Sequence, residues 1–267
     1  MTLQDKKVVL TGTFTGASRK ALAGQLAAMG AKVSGGVSGK TDYLIAGSAA
    51  GSKLYKANEK GVSVLHEPHL KMLLSGTPLE EVAALAETFY TLDFHRGEPP
   101  EPTYNVRGGA APGFDKGRWP REGTRYWDHL FTIDLETAPA LKVFYPGKRT
   151  LSGFTRDRSE VDMYSLARRF ASDVQLYTST QEAIDAWDGK SIRGKRQEHS
   201  GWFTPVAHPA SELEEHFGRT RLLGHVPCWI QGEDHRDTFL MQLGEEMSVS
   251  GDGLVYFFSD AVFSQVS

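Results

Sequence analysis

Two domains of different construction are predicted: a small α/β domain over residues 1–76 and an α+β domain over residues 107–267, with residues 77–106 between them as a helix and a Gly/Pro-rich linker. Three observations predict this division. Charge changes sign along the chain: residues 1–76 carry ten Lys/Arg and four Asp/Glu, net +6, whereas residues 77–267 carry 20 and 29, net −9. Aromatic residues are just as uneven, since only Phe14, Tyr43 and Tyr55 precede residue 77 and all five Trp follow it. The apolar spacing changes as well, from strands alternating with helices to strands that read as antiparallel pairs.

The first domain reads as βαββαβα. KVVL (residues 7–10) is a strand ending at Thr11-Gly12. Ser18 can cap a helix whose apolar face is Ala21, Leu22, Leu26 and Met29, and Gly30 stops it. AKV (31–33) and DYLIA (42–46) are strands on either side of a Gly-rich turn. Ser52 is placed to cap a second helix, which runs to Lys60. VSVL (62–65) is a fourth strand, and Pro68 suits the first turn of a third helix. Short connections of this kind build a four-stranded, mostly parallel sheet with three helices.

The Gly39-Lys40-Thr41 tripeptide imitates the end of a phosphate-binding P-loop. That motif needs a Gly five residues ahead of Gly39, where Ser34 stands, and a helix behind it, where an apolar strand follows. Gly189-Lys190-Ser191 fails in the same way, with Ile184 in the first Gly slot. A P-loop nucleotide triphosphatase is not expected.

The stretches KKVVLTGTF, SRKALAGQLAAMGAKVSGGVSGKTDYLIAG and GSKLYKANEKGVSVL resemble a BRCT domain, above all the one that ends bacterial NAD-dependent DNA ligases. The resemblance covers residues 4–75. It implies a phosphate pocket built from Thr11, Gly12 and Lys53, with Arg19 and Lys20 extending it along a DNA backbone. A hydroxyl, a backbone N–H and an ammonium beside a helix N-terminus suit an anion. The implied ligand is a DNA 5′ phosphate or a phosphorylated protein. Only one copy is present, which weakens the phosphopeptide reading. Ligase chemistry does not follow: no Lys-x-Asp-Gly occurs, and a single Cys cannot supply a zinc-binding set.

In the second domain, HLFTIDL (129–135) with LKVFY (141–145), and FLMQL (239–243) with GLVYFF (253–258), read as two strand pairs and suggest a pseudo-duplicated fold. Helices are expected over 160–172, 179–186 and 210–217. Phe114 and Trp119 are apolar anchors that could order the Gly/Pro-rich stretch as a loop of this domain. The segments GGAAPGFDKGRWPREG, RLLGHVPCWIQGED, FLMQL and GDGLVYFF resemble the YwqG-like bacterial proteins over residues 107–267, which implies a fold of that kind and no particular activity.

Catalytic signals are absent from this half. His235-Arg236-Asp237 lacks the rest of a kinase signature, no G-x-S-x-G or H-E-x-x-H occurs, and Cys228 sits in an apolar context. His208, His216 and His225 could converge in the fold, although solvated or core roles are expected for them; no metal and no cofactor is predicted. Trp229, Gln231, Asp252 and Tyr256 are candidates to line a pocket, with core packing the simpler role for Trp229 and Tyr256.

The expected protein is cytoplasmic. A single cysteine permits no internal disulfide, no apolar run reaches the length of a membrane span, and no signal peptide is read at the N-terminus. The favoured function is non-catalytic docking on DNA or a DNA-repair complex through the first domain. The alternatives are a protein-binding or immunity-type role, with the second domain holding an unidentified protein partner, and an unrecognised hydrolase in the second domain.

Overall fold

The computed structural model describes residues 3–156, 174–190, 201–216, 219–223, 238–243, 253–258 and 262–266. In the first domain, strands β1 (Lys7–Thr11), β2 (Lys32–Ser34), β3 (Tyr43–Ala46) and β4 (Ser63–His66) form a parallel sheet in the order β2-β1-β3-β4. Helix α1 (Arg19–Ala28) links β1 to β2, α2 (Ser52–Glu59) links β3 to β4, and α3 (Glu67–Leu74) and α4 (Leu79–Ala86) follow.

Side-chain alternation along the strands makes two cores. Val8, Leu10, Ile45 and Leu65 face α1, α3 and α4, where Leu22, Leu26, Leu70, Leu73 and Val82 close the layer. Val9, Leu44, Ala46 and Val64 face the opposite way and are covered by Leu54 and Ala57 of α2. The sheet is therefore buried on both sides, as parallel sheets are. Ser18 caps α1 as expected, its Oγ accepting from the Ala21 N–H at 3.2 Å. Ser52 does not cap α2: it is the first helical residue, and Gly51, at φ +66°, takes the cap position without a side chain to offer.

The second sheet has ten strands. They are β5 (Thr88–Arg96), β6 (Val106–Arg107), β9 (Asp128–Asp134), β10 (Thr150–Thr155), β11 (Val174–Ser179), β12 (Gly201–Pro209), β13 (Arg221–Leu222), β14 (Phe239–Leu243), β15 (Gly253–Phe258) and β16 (Val262–Val266). Their order is β11-β10-β9-β6-β12-β5-β13-β14-β15-β16, and each recorded pairing is antiparallel. A small hairpin, β7 (Arg121–Glu122) and β8 (Arg125–Tyr126), stands apart.

Three expectations change here. The stretch 77–106 is not a plain linker: α4 packs Leu79, Val82 and Ala86 into the first domain and Leu85 against the second core, and β5 is a central strand paired along its whole length with β12. Phe89, Tyr90 and Leu92 give β5 the apolar content that an interior strand needs. Of the two expected strand pairs, FLMQL and GLVYFF do pair, as β14 with β15, and the first does not form. Residues 141–145 are not a strand; Pro139 opens a short helix, α5 (Pro139–Lys142), and β9 pairs with β10 instead. The helix expected over 179–186 is α6 (Gln181–Asp185), capped by Thr180, and residues 210–216 form a 3₁₀ helix (Ala210–His216). The helix expected over 160–172 lies outside the described residues.

The Gly/Pro-rich stretch is ordered by its anchors. Phe114 and Trp119 are buried with Trp127 and Phe154, and the Trp119 indole N–H donates to the Trp127 carbonyl at 2.8 Å. Among the described residues no helix is long and apolar enough to cross a membrane.

Candidate functional site

In the first domain the strand order reverses between β1 and β3, because α1 carries the chain outward to β2 and α2 carries it outward to β4. Crevices beyond the carboxyl ends of parallel strands at such a reversal are the usual ligand sites of open α/β sheets. Here the two carboxyl ends are adjacent, with Thr11 in register with Ala46.

The loops leaving these strands are zipped together. The Gly47 N–H donates to the Thr11 carbonyl at 3.0 Å, and Thr13 and Ser48 exchange backbone bonds at 2.8 and 2.9 Å. Gly12 is required at this crossing: its φ is +80°, and a Cβ there would lie 2.6 Å from the Ser48 oxygen and 2.7 Å from the Gly47 oxygen. Thr11 is buried, and its hydroxyl donates to the Ala50 carbonyl at 2.7 Å. That bond ties the end of β1 to the residue pair that precedes α2.

Lys53, half-buried, is the second residue of α2. The first turn of this helix carries no acidic residue and its cap no side-chain bond, so the positive end of the helix dipole is left uncompensated. Arg19 and Lys20 are exposed on the first turn of α1, which also lacks acidic residues. Three of the four acids of this domain, Asp5, Asp42 and Glu67, are paired with Lys32, Lys6 and Lys71. Arg19, Lys20 and Lys53 have no ion pair among the described residues.

Glu67, not singled out by the sequence, holds the β1–α1 loop in place. Its carboxylate accepts from the Thr15 N–H at 3.1 Å and pairs with Lys71 at 2.8 Å. Partial burial pushes this carboxyl up, but the bonds to Lys71 and Thr15 outweigh it and hold the group below its usual range.

Of the pocket residues expected in the second domain, Tyr256 alone falls among the described residues. Trp229, Gln231 and Asp252 lie outside the described residues, as do Cys228 and His225. Tyr256 is fully buried on β15, in register with Gln242 on β14, and belongs to the core rather than to a pocket wall. His208 and His216 do meet, joined by Glu212: one ligand atom from each of the three lies within 4.8 Å of the others. Glu212 and Thr91, which contact the two ring nitrogens of His208, were not picked out from the sequence. The signal was present as the even spacing His-x₃-Glu-x₃-His.

With this geometry in place, comparison with known proteins is informative for the first domain. Residues 2–70 match the family model of the BRCA1 C Terminus (BRCT) domain. DNA ligases of Legionella pneumophila strains Corby and Paris are each 60% identical over 62 residues, a stretch that is 23% of this chain and 9% of the ligase. The match thus spans a small fraction of the length of these curated relatives. The N-terminal domain is a BRCT domain similar to that of DNA ligase.

Proposed function

We propose that this chain is a binding protein that docks on DNA, at a 5′-phosphate end or nick or within a repair or replication complex, through phosphate contacts of its BRCT domain. The observation that carries the reading is the set of cations without acidic partners, Arg19, Lys20 and Lys53, at the two helix N-termini beside the β1/β3 crevice. Lys53 meets the phosphate together with the free N–H groups of α2, and Arg19 and Lys20 follow the backbone. Thr11 acts by shape, because its hydroxyl proton is committed to Ala50. Gly12 permits the close crossing that forms the crevice floor. The net charge of +6 over residues 1–76 supplies steering toward a polyanion.

The test is fluorescence anisotropy of the full chain with short duplex DNA, with and without a 5′ phosphate, at two salt concentrations. The expected result is binding that strengthens with the phosphate and weakens steeply with salt. Lys53→Glu is expected to lower affinity about tenfold or more and to flatten the salt slope by roughly one. A phosphopeptide that binds in place of DNA would reassign the ligand. Absence of binding to both would end the phosphate reading.

A second reading rests on the net charge of −9 over residues 77–267. In it the second domain, YwqG-like by its motifs, holds a partner protein and the BRCT domain is an adaptor. Capture of a partner that persists at high salt and survives Lys53→Glu would favour it.

A further inference from the structure

We propose that His208, Glu212 and His216 form a binding site for a divalent first-row transition metal of the zinc type, independent of the BRCT crevice. His208 is the penultimate residue of strand β12, and Glu212 and His216 lie on the 3₁₀ helix that follows it. Register with β5 places His208 opposite Phe89 and diagonal to Thr91. The turn is held down by the Ala210 N–H, which donates to the Glu87 carbonyl at 2.7 Å.

Each ring is fixed from outside the cluster. Phe89 stacks on His208 at 5.2 Å and lies 5.8 Å from His216, while the two imidazoles sit 4.3 Å apart. Thr91 Oγ1 is 2.9 Å from Nε2 of His208, and Glu212 Oε2 is 3.1 Å from its Nδ1. His216 offers the complementary feature: its Nδ1 is buried with no hydrogen-bond partner among the described residues. A buried, unbonded imidazole nitrogen beside a carboxylate is costly unless something occupies the space.

The donor set selects the ion. Two imidazoles and one carboxylate suit zinc and its neighbours, whereas calcium and magnesium prefer all-oxygen sets. Bonds of about 2.0–2.2 Å need ligand atoms about 3.4 Å apart in a tetrahedral site. The observed separations within 4.8 Å reach that by rotation of Glu212, whose side chain is 44% exposed. Binding takes the His208 imidazole with its one proton on Nε2, which donates to Thr91, so that the Nδ1 lone pair faces the ion beside Glu212; a proton that joined Nδ1 to Glu212 is displaced, to Nε2 in the neutral ring or to solvent from the doubly protonated one. This is the outer-shell arrangement that orients metal-bound histidines. Three protein ligands leave a fourth position open to water.

The experiment titrates the metal-free full chain with Zn²⁺ in competition with a chromophoric chelator at neutral and mildly acidic pH. The expected result is one tight site per chain, weaker in acid, with affinity reduced about tenfold or more in both His216→Ala and Glu212→Gln. Thr91→Val is expected to weaken binding less. His95→Ala, an exposed histidine stacked on Trp202, serves as control and should bind as the parent does. Retention of the tight site in Glu212→Gln, equal loss in His95→Ala, or equal affinity for Mg²⁺ would each overturn the proposal. Should His216→Ala fail to fold by circular dichroism, Glu212→Gln alone decides.

Discussion

The two sheets of this chain handle polar groups in opposite ways. The parallel BRCT sheet buries an almost wholly apolar set and leaves three cations, Arg19, Lys20 and Lys53, at the rim without acidic partners among the described residues. The ten-stranded sheet takes polar residues inside, and around His129 it satisfies them in a chain. His129 Nδ1 lies 3.1 Å from the Gly108 carbonyl, which can only accept, so Nδ1 carries the proton. Nε2 must then accept from the Thr132 hydroxyl at 2.8 Å, and Thr132 in turn accepts from Ser152 at 2.7 Å. The lesson is that a closed chain of this kind specifies packing, whereas an unpaired imidazole nitrogen within a cluster of metal-ligating groups, or cations left unpaired at a rim, can serve a ligand.

The largest expected effect tests whether the two sheets are energetically separate. Phe131 is fully buried, and its ring lies over Gly153 of the neighbouring strand, where a Cβ would collide with it. Phe131→Ala should cost about 4 kcal/mol through lost burial and the cavity left behind. Urea denaturation followed by Trp fluorescence reads this, because all five Trp follow residue 77. DNA binding by the BRCT domain should survive at urea concentrations that unfold the second sheet. Simultaneous loss of both would show that α4, which packs against both cores, makes them one cooperative unit.

Next in size is the cost of keeping the polar chain closed in acid. Burial holds the His129 imidazole down to about 4, against 6.5 for a free histidine, outweighing the bond to Gly108 that favours the charged form. The unfolded chain therefore binds a proton between these values that the folded chain refuses. Stability rises with pH across that window, so it falls as pH drops from 6.5 toward 4 and levels off below. The full loss is about 3 kcal/mol. Denaturation midpoints at pH 7.5 and 4.5 should differ in the parent far more than in His129→Gln. An equal slope in the variant would place the acid sensitivity elsewhere.

The two regions were also unequally legible in the sequence. Each element of the BRCT sheet is local: β1, α1 and β2 follow one another in the chain, and the Ser18 cap and Pro68 announce their helices. Even there the α2 cap was misplaced, since Ser52 and Gly51 are adjacent and only backbone geometry separates them. In the second sheet β5 pairs with β12, more than a hundred residues further along the chain. No short window contains that partnership, so TFYTLDF was absorbed into a supposed linker. Leu141 to Tyr145 has strand-like composition, but Pro139 starts a helix and tertiary packing overrides the propensity. Thr11, Gly12 and Lys53 could be singled out as candidates because they sit at element ends and match the pocket that the BRCT resemblance implies. Glu212 and Thr91 join His208 only through the β5–β12 register and the turn after it.

The smallest effect concerns the floor of the crevice, and two glycines make it measurable. Gly12 and Gly16 have nearly the same backbone, φ +80° and +79°, but a Cβ at Gly16 meets nothing within 4 Å. Gly16→Ala should therefore lose only the backbone penalty, about 1 kcal/mol. Gly12→Ala adds a collision with two carbonyl oxygens that are held by the Thr13–Ser48 bonds and cannot easily shift, for a total of about 2 kcal/mol. Thermal unfolding followed by far-UV circular dichroism gives both values, and their difference isolates the close approach of the two loops. If the loops form the crevice as a rigid floor, Gly12→Ala should also weaken DNA binding at temperatures where it remains folded, while Gly16→Ala should not. Equal DNA affinity in the two variants would mean that the rim cations work without the floor, and the contrast between a bare cationic rim and a built site would then belong to the second sheet alone.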